Sequence, residues 1–126
     1  MLAKKILVVD DEESIRKTFV LLLSEKYRVV AAKDAEEALD KQKNGYDLVI
    51  ADLRLPGKDG VELVTEMRRR GYRGEVILIS AHAELVDPSI LGRLRIGHFF
   101  AKPLELDAIS RSIDYLLTKD EAAVRA

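Results

Sequence analysis

The feature that most narrows the fold is a regular alternation. Short apolar runs rich in β-branched residues are separated by stretches with helical spacing. The runs at 6–9, 29–32, 48–51 and 76–79 read as strands, and 98–101 as a weaker fifth. They are continuously apolar, as expected of strands covered on both faces of a parallel sheet. Between them, Ile15, Phe19, Leu22 and Leu23 share one helical face. Asp34 suits the cap of a second helix, with Glu37 three residues on as an acidic capping box and Gly45 at the exit. Leu63, Val64 and Met67 mark a third helix that Gly71 stops. Asp87-Pro88 is a cap and first turn for a fourth, and Ile109, Ile113, Leu116 and Leu117 mark the last. The order (βα)5 predicts an α/β fold, a doubly wound five-stranded parallel sheet with helices on both faces. Residues 1–126 read as one domain, with a core at about 5–117 and a C-terminal tail at 118–126.

A chain of 126 residues with 48% hydrophobic and 34% charged residues is balanced for a globule, neither disordered nor membrane-embedded. With no cysteine, disulfide and thiolate chemistry are excluded. A net charge of −1 gives no global reason to expect direct nucleic-acid binding. No apolar run approaches the roughly 20 residues of a membrane helix, and the first ten residues lack a secretory pattern. The expectation is a cytoplasmic protein.

Ligand sites in open parallel sheets lie beyond the carboxyl ends of the strands. At those ends the sequence has Asp10-Asp11 (then Glu12-Glu13), Asp52, Ser80 and Lys102-Pro103. Three carboxylates, a hydroxyl and an ammonium therefore fall on one rim. The carboxylates would repel one another without a partner. A hard dication relieves this, and Mg²⁺ suits oxygen ligands that include one or two carboxylates, phosphate and water. Asp10, Asp11, Asp52 and Lys102 sum to −2, which one Mg²⁺ neutralises. A phosphoryl group on Asp52 would leave about −1 with the metal, against about −4 without metal and lysine.

Here the sequence closely resembles the response-regulator receiver domains of two-component signalling, the chemotaxis-regulator-like group, from about Lys5 to Leu117. The resemblance rests on Ile6-Leu7-Val8-Val9-Asp10-Asp11-Glu12, on 47–57 with Asp52 and Pro56-Gly57, on Asp59-Gly60, on Ile79-Ser80-Ala81 and on Lys102-Pro103. It implies a flavodoxin-like strand order 2-1-3-4-5. Asp52 would be the phosphoacceptor, and Asp10, Asp11, Asp52 and the backbone carbonyl of Arg54 would hold Mg²⁺. Ser80 and Lys102 would contact the phosphoryl group, and the Lys102-Pro103 bond would be cis. Two positions depart from the family: Arg95-Ile96 replaces a common Gly-Ala, and the switch aromatic is Phe99 rather than Tyr. Any Ser80–Phe99 coupling would then act through packing alone. Implied partners are a histidine kinase or phosphotransfer protein and a downstream protein or effector domain. A homodimer through the face of helix 4, strand 5 and helix 5 is a family-level alternative.

The expected function is a phosphorylation-activated switch that reshapes the surface at 81–103, not an enzyme with an external substrate. One rival is a receiver-like interaction module that is never phosphorylated, although its five site residues are intact. The other is a small Mg²⁺-dependent phosphohydrolase of the haloacid-dehalogenase kind, whose second aspartate would fall where Arg54 stands. Plainer roles suit the remaining residues. Asp11 or Glu12 also suits a helix cap, Arg68-Arg69-Arg70 a solvated helix end, and His82 and His98 structural or surface positions.

Overall fold

The computed structural model describes residues 3–125, so Met1, Leu2 and Ala126 of the expected 1–126 unit lie outside the described residues. Five strands, β1 (Lys5–Val9), β2 (Arg28–Ala32), β3 (Leu48–Asp52), β4 (Glu75–Ser80) and β5 (His98–Ala101), form one parallel sheet in the order β2-β1-β3-β4-β5. Helices α1 (Glu13–Leu23), α2 (Ala35–Lys41), α3 (Gly60–Arg69), α4 (Pro88–Arg93) and α5 (Leu106–Arg125) connect or follow them. This is the doubly wound α/β fold expected from the alternation, with the flavodoxin-like strand order that the family resemblance implies.

The strand residues divide by parity. Leu7, Val9, Val49, Ala51 and Leu78 meet α2 and α3 through Ala35, Ala38, Leu63, Val64 and Met67. Their neighbours Ile6, Val8, Ile50, Ile77 and Ile79 meet α1 and α5 through Phe19, Leu23, Ile109 and Ile113. Successive side chains of a strand point to opposite faces, so two apolar layers require unbroken apolar strands. The register matters for function: Val9 pairs with Ala51, and Asp52 with Ile79. The carboxyl ends of β1, β3 and β4 are therefore level at one rim.

Two local expectations need correction. At α2 the Asp34 carboxylate accepts from the Glu37 N–H, but the Glu37 side chain pairs with Lys41 one turn on. The reciprocal capping box forms instead at α3, between Asp59 and Glu62. The residues expected as a tail from Thr118 continue α5 to Arg125. The stretch after Leu117 has neither glycine nor proline and is rich in helix-favouring Lys, Glu and Ala, so nothing stops the helix. Among the described residues, no helix is long and apolar enough to cross a membrane.

Candidate functional site at the carboxyl rim of the sheet

Asp10 directly follows β1 and is fully buried. Its N–H donates to the Ala32 carbonyl, its Oδ1 accepts the Glu12 N–H at 2.8 Å, and its carbonyl accepts from Arg16 at 2.7 Å. Asp52 is the last residue of β3 and only 5% exposed. Its Oδ1 accepts the Arg54 N–H at 2.9 Å. The loop after it is pinned by Leu53 N–H to the Ile79 carbonyl and Gly60 N–H to the Leu53 carbonyl. Gly60 has to be glycine for this approach, because a Cβ there would collide with the Asp52 carbonyl oxygen. The first residue of α3 thus rests against the backbone of the site.

Lys102 follows β5, and its N–H donates to the Ser80 carbonyl at 2.8 Å, tying the end of β5 to that of β4. Its Nζ reaches back across the rim to Asp52 Oδ2 at 2.6 Å, Glu12 Oε1 at 3.0 Å and Asp10 Oδ2 at 3.3 Å. Burial alone would lower the ammonium pKa, but hydrogen bonds to Asp52 and Glu12 and the nearby charges outweigh it and hold it above the usual lysine range. For Asp10, burial first and the Asp52 charge beyond it raise the carboxyl to about 6, against the opposing pull of the Glu12 N–H and Lys102. Two acids beside each other and one ammonium leave negative charge uncompensated in a place with little water.

Asp10, Asp11, Glu12 and Asp52 each offer a carboxylate oxygen, and these four atoms all lie within 4.8 Å of one another. An oxygen-only set of this size, carrying net negative charge and partly open through exposed Asp11 and Glu12, fits a hard dication such as Mg²⁺. Glu12 was not singled out for the site from the sequence, where it read as a cap. It does occupy the N-cap position of α1, yet its side chain makes no cap hydrogen bond and turns to Lys102. The run of four acids after β1 was the available signal.

Ser80 ends β4 fully buried, and its Oγ accepts the His82 N–H at 2.8 Å. Phe99 lies on β5 opposite Leu78 and packs, half-buried, on the α2–α3 side of the sheet. The Lys102-Pro103 peptide bond is cis. The arginine run departs from a solvated face. Arg69 and Arg70 do pair with Glu66 at the helix surface, but Arg68 donates to the main-chain carbonyls of Leu94 (2.9 Å), Gly74 (2.8 Å), Tyr72 (3.1 Å) and Arg95 (3.1 Å). That guanidinium clamps the end of α4 to the loop after α3.

The response regulator receiver domain family matches residues 6–114 of the chain. The alkaline phosphatase synthesis transcriptional regulatory protein PhoP of Bacillus subtilis is 33% identical over 95% of the chain, which spans only 51% of PhoP. The sporulation initiation phosphotransferase F of the same organism is 34% identical, with 90% of the chain and 93% of that protein covered. Among solved structures, response regulator protein TrrA from Thermotoga maritima, in complex with Mg²⁺ and BeF, superposes with a TM-score of 0.78 at 35% identity. That match covers 90% of the chain and 99% of TrrA.

Proposed function

The chain belongs to the response regulator receiver domain family, and from that premise we propose that it is a signalling switch phosphorylated on Asp52. Phosphorylation-dependent signalling is the business of that family. The observation that carries it is the reach of Lys102 Nζ, 2.6 Å from Asp52 Oδ2 across the sheet from β5 to β3.

Asp52 has the chemistry of a nucleophile in phosphoryl transfer. One of its oxygens attacks the phosphorus of a phosphohistidine on a kinase or phosphotransfer protein. The new O–P bond forms as the P–N bond breaks, and the imidazole leaves with a proton from solvent. Lys102 steadies charge on the transferring oxygens, and the Arg54 N–H holds Asp52 Oδ1 so that the carboxylate is aimed before the donor arrives. Asp10, Asp11, Asp52 and the Arg54 main-chain carbonyl would hold Mg²⁺, which supplies the remaining charge neutralisation.

After transfer the Ser80 hydroxyl, whose oxygen accepts the His82 N–H, donates its own hydrogen to a phosphoryl oxygen, drawing the loop after β4 inward. This biases the segment 81–103, with half-buried Phe99 at its end, toward a second arrangement that a downstream protein or effector domain reads. Residues 1–126 act as one receiver unit without an external substrate.

Acetyl phosphate and Mg²⁺ applied to wild type and Asp52→Asn, followed by intact mass, test the assignment. One added phosphoryl group is expected on wild type and none on the variant. Equal gain on both would misplace the acceptor, and no gain on wild type would count against phosphorylation.

A further inference from the structure

Lys102 has three N–H donors and no acceptor, and in the resting protein all three are engaged, by Asp52, Glu12 and Asp10. A phosphoryl group on Asp52 brings new oxygens that need the same ammonium. One present acceptor has to let go.

The three differ in what release would cost. The Asp10 side chain has no exposed surface, and that of Asp52 only 7%, so taking the ammonium from Oδ2 of either, with only a main-chain donor left at Oδ1, is expensive. The Glu12 side chain is 57% exposed, and water can take over its carboxylate. Its backbone, by contrast, is fixed: the N–H donates to Asp10, and the carbonyl accepts from Ile15 and Arg16 in the first turn of α1. At an N-cap, a short side chain folds back onto the helix amides. Glu12 is too long for that habit here, makes no such bond, and spans the rim to Lys102 instead.

We infer that Glu12 is a placeholder: a positioning residue that holds the third donor of Lys102 over Asp52 until a phosphoryl oxygen takes it. This rests on the phosphoacceptor reading of Asp52. The carboxylate then works in opposite senses before and after transfer. It keeps the ammonium aimed at the resting site, and it competes with the phosphoryl group for that same ammonium once the group has arrived. Removing it should favour the loaded state.

Beryllofluoride, a phosphoryl mimic, is the probe, titrated into the full chain at saturating Mg²⁺ and followed by backbone amide resonances. Saturating metal removes any change in metal affinity from the comparison. Wild type is compared with Glu12→Ala, Glu12→Gln and Glu13→Gln. Glu13 is one residue along, equally charged, and paired with Lys17 on the α1 surface, so it controls for general charge. An exposed ion pair of this kind supports an affinity gain of roughly two- to fivefold for Glu12→Ala. Glu12→Gln, which keeps the acceptor but not the charge, should fall between. Glu13→Gln should match wild type, and the gain should shrink in high salt.

A merely structural Glu12 would weaken binding when removed, and that result would overturn the inference. So would unchanged affinity in both Glu12 variants, or an equal gain in Glu13→Gln. If wild type itself takes up no beryllofluoride, the phosphoacceptor reading fails first and the placeholder falls with it.

Discussion

The β1–β3 half of the molecule and the segment from β4 to β5 are built to different tolerances. Every residue of β3 is buried, and β1 is buried from Ile6 onward. Each acid at their ends is held by a main-chain donor, Asp10 by the Glu12 N–H and Asp52 by the Arg54 N–H. Across the sheet, α4 is a six-residue helix with no buried residue, β5 has none either, and Leu85 just before α4 is 60% exposed. Charged groups that must meet within a few tenths of an ångström need a rigid base. A segment that answers a modest change in charge has to be cheap to rearrange. The two halves meet at Ser80 and Lys102, and Arg68 limits how much of the looser one is free.

The largest test of this contrast is a matched pair of truncations. Ile50→Ala removes a fully buried side chain from β3 beside the site and should destabilise by about 3–4 kcal/mol. Ile90→Ala in α4, where the side chain is only partly buried, should cost about 1 kcal/mol or less in the same urea titration. Equal losses would abolish the distinction.

The next concerns the strain in the rigid half. The Asp10 carboxyl titrates at about 6 in the folded protein against an ordinary 3.8, so the folded state binds the proton more tightly than the unfolded chain. Its contribution is therefore greatest below about pH 4 and is lost as pH rises through 6, by about 3 kcal/mol at most. Wild type minus Asp10→Asn, in denaturation curves from pH 4.5 to 7.5, should isolate that slope. Mg²⁺, which competes with the proton, should raise Tm more at pH 7.5 than at pH 5. A Mg²⁺ effect independent of pH would detach Asp10 from the cation.

A further test is Arg68→Ala, where loss of four carbonyl contacts should cost about 1–2 kcal/mol. Amide exchange at 94–97 should quicken while that of β1 and β3 stays put. Arg68→Lys should not restore protection, because an ammonium cannot reproduce the planar fork. Restoration by lysine would reduce Arg68 to a charge.

The alternation of runs carried the strand and helix order, since a strand covered on both faces must be apolar throughout and its helices must be apolar on one side. It also carried the acids, because a short polar cluster at the end of each buried run has nowhere to go but the rim. Asp10, Asp52, Ser80 and Lys102 were legible for that reason. What the sequence could not express is which of several equivalent polar groups takes which partner. Asp34-Glu37 and Asp59-Glu62 have the same spacing, yet only the second closes reciprocally, because Lys41 draws Glu37 away. Arg68 looks like its two neighbours and differs only because the helix turns it toward the carbonyls at the end of α4. Glu12 read as a cap until β5 delivered Lys102 within 3.0 Å of it. Apolar pattern is additive along a chain and can be read locally. The pairings of Arg68 with the end of α4 and of Glu12 with Lys102 depend on distances between residues 26 and 90 positions apart, and those exist only once the sheet has closed its register.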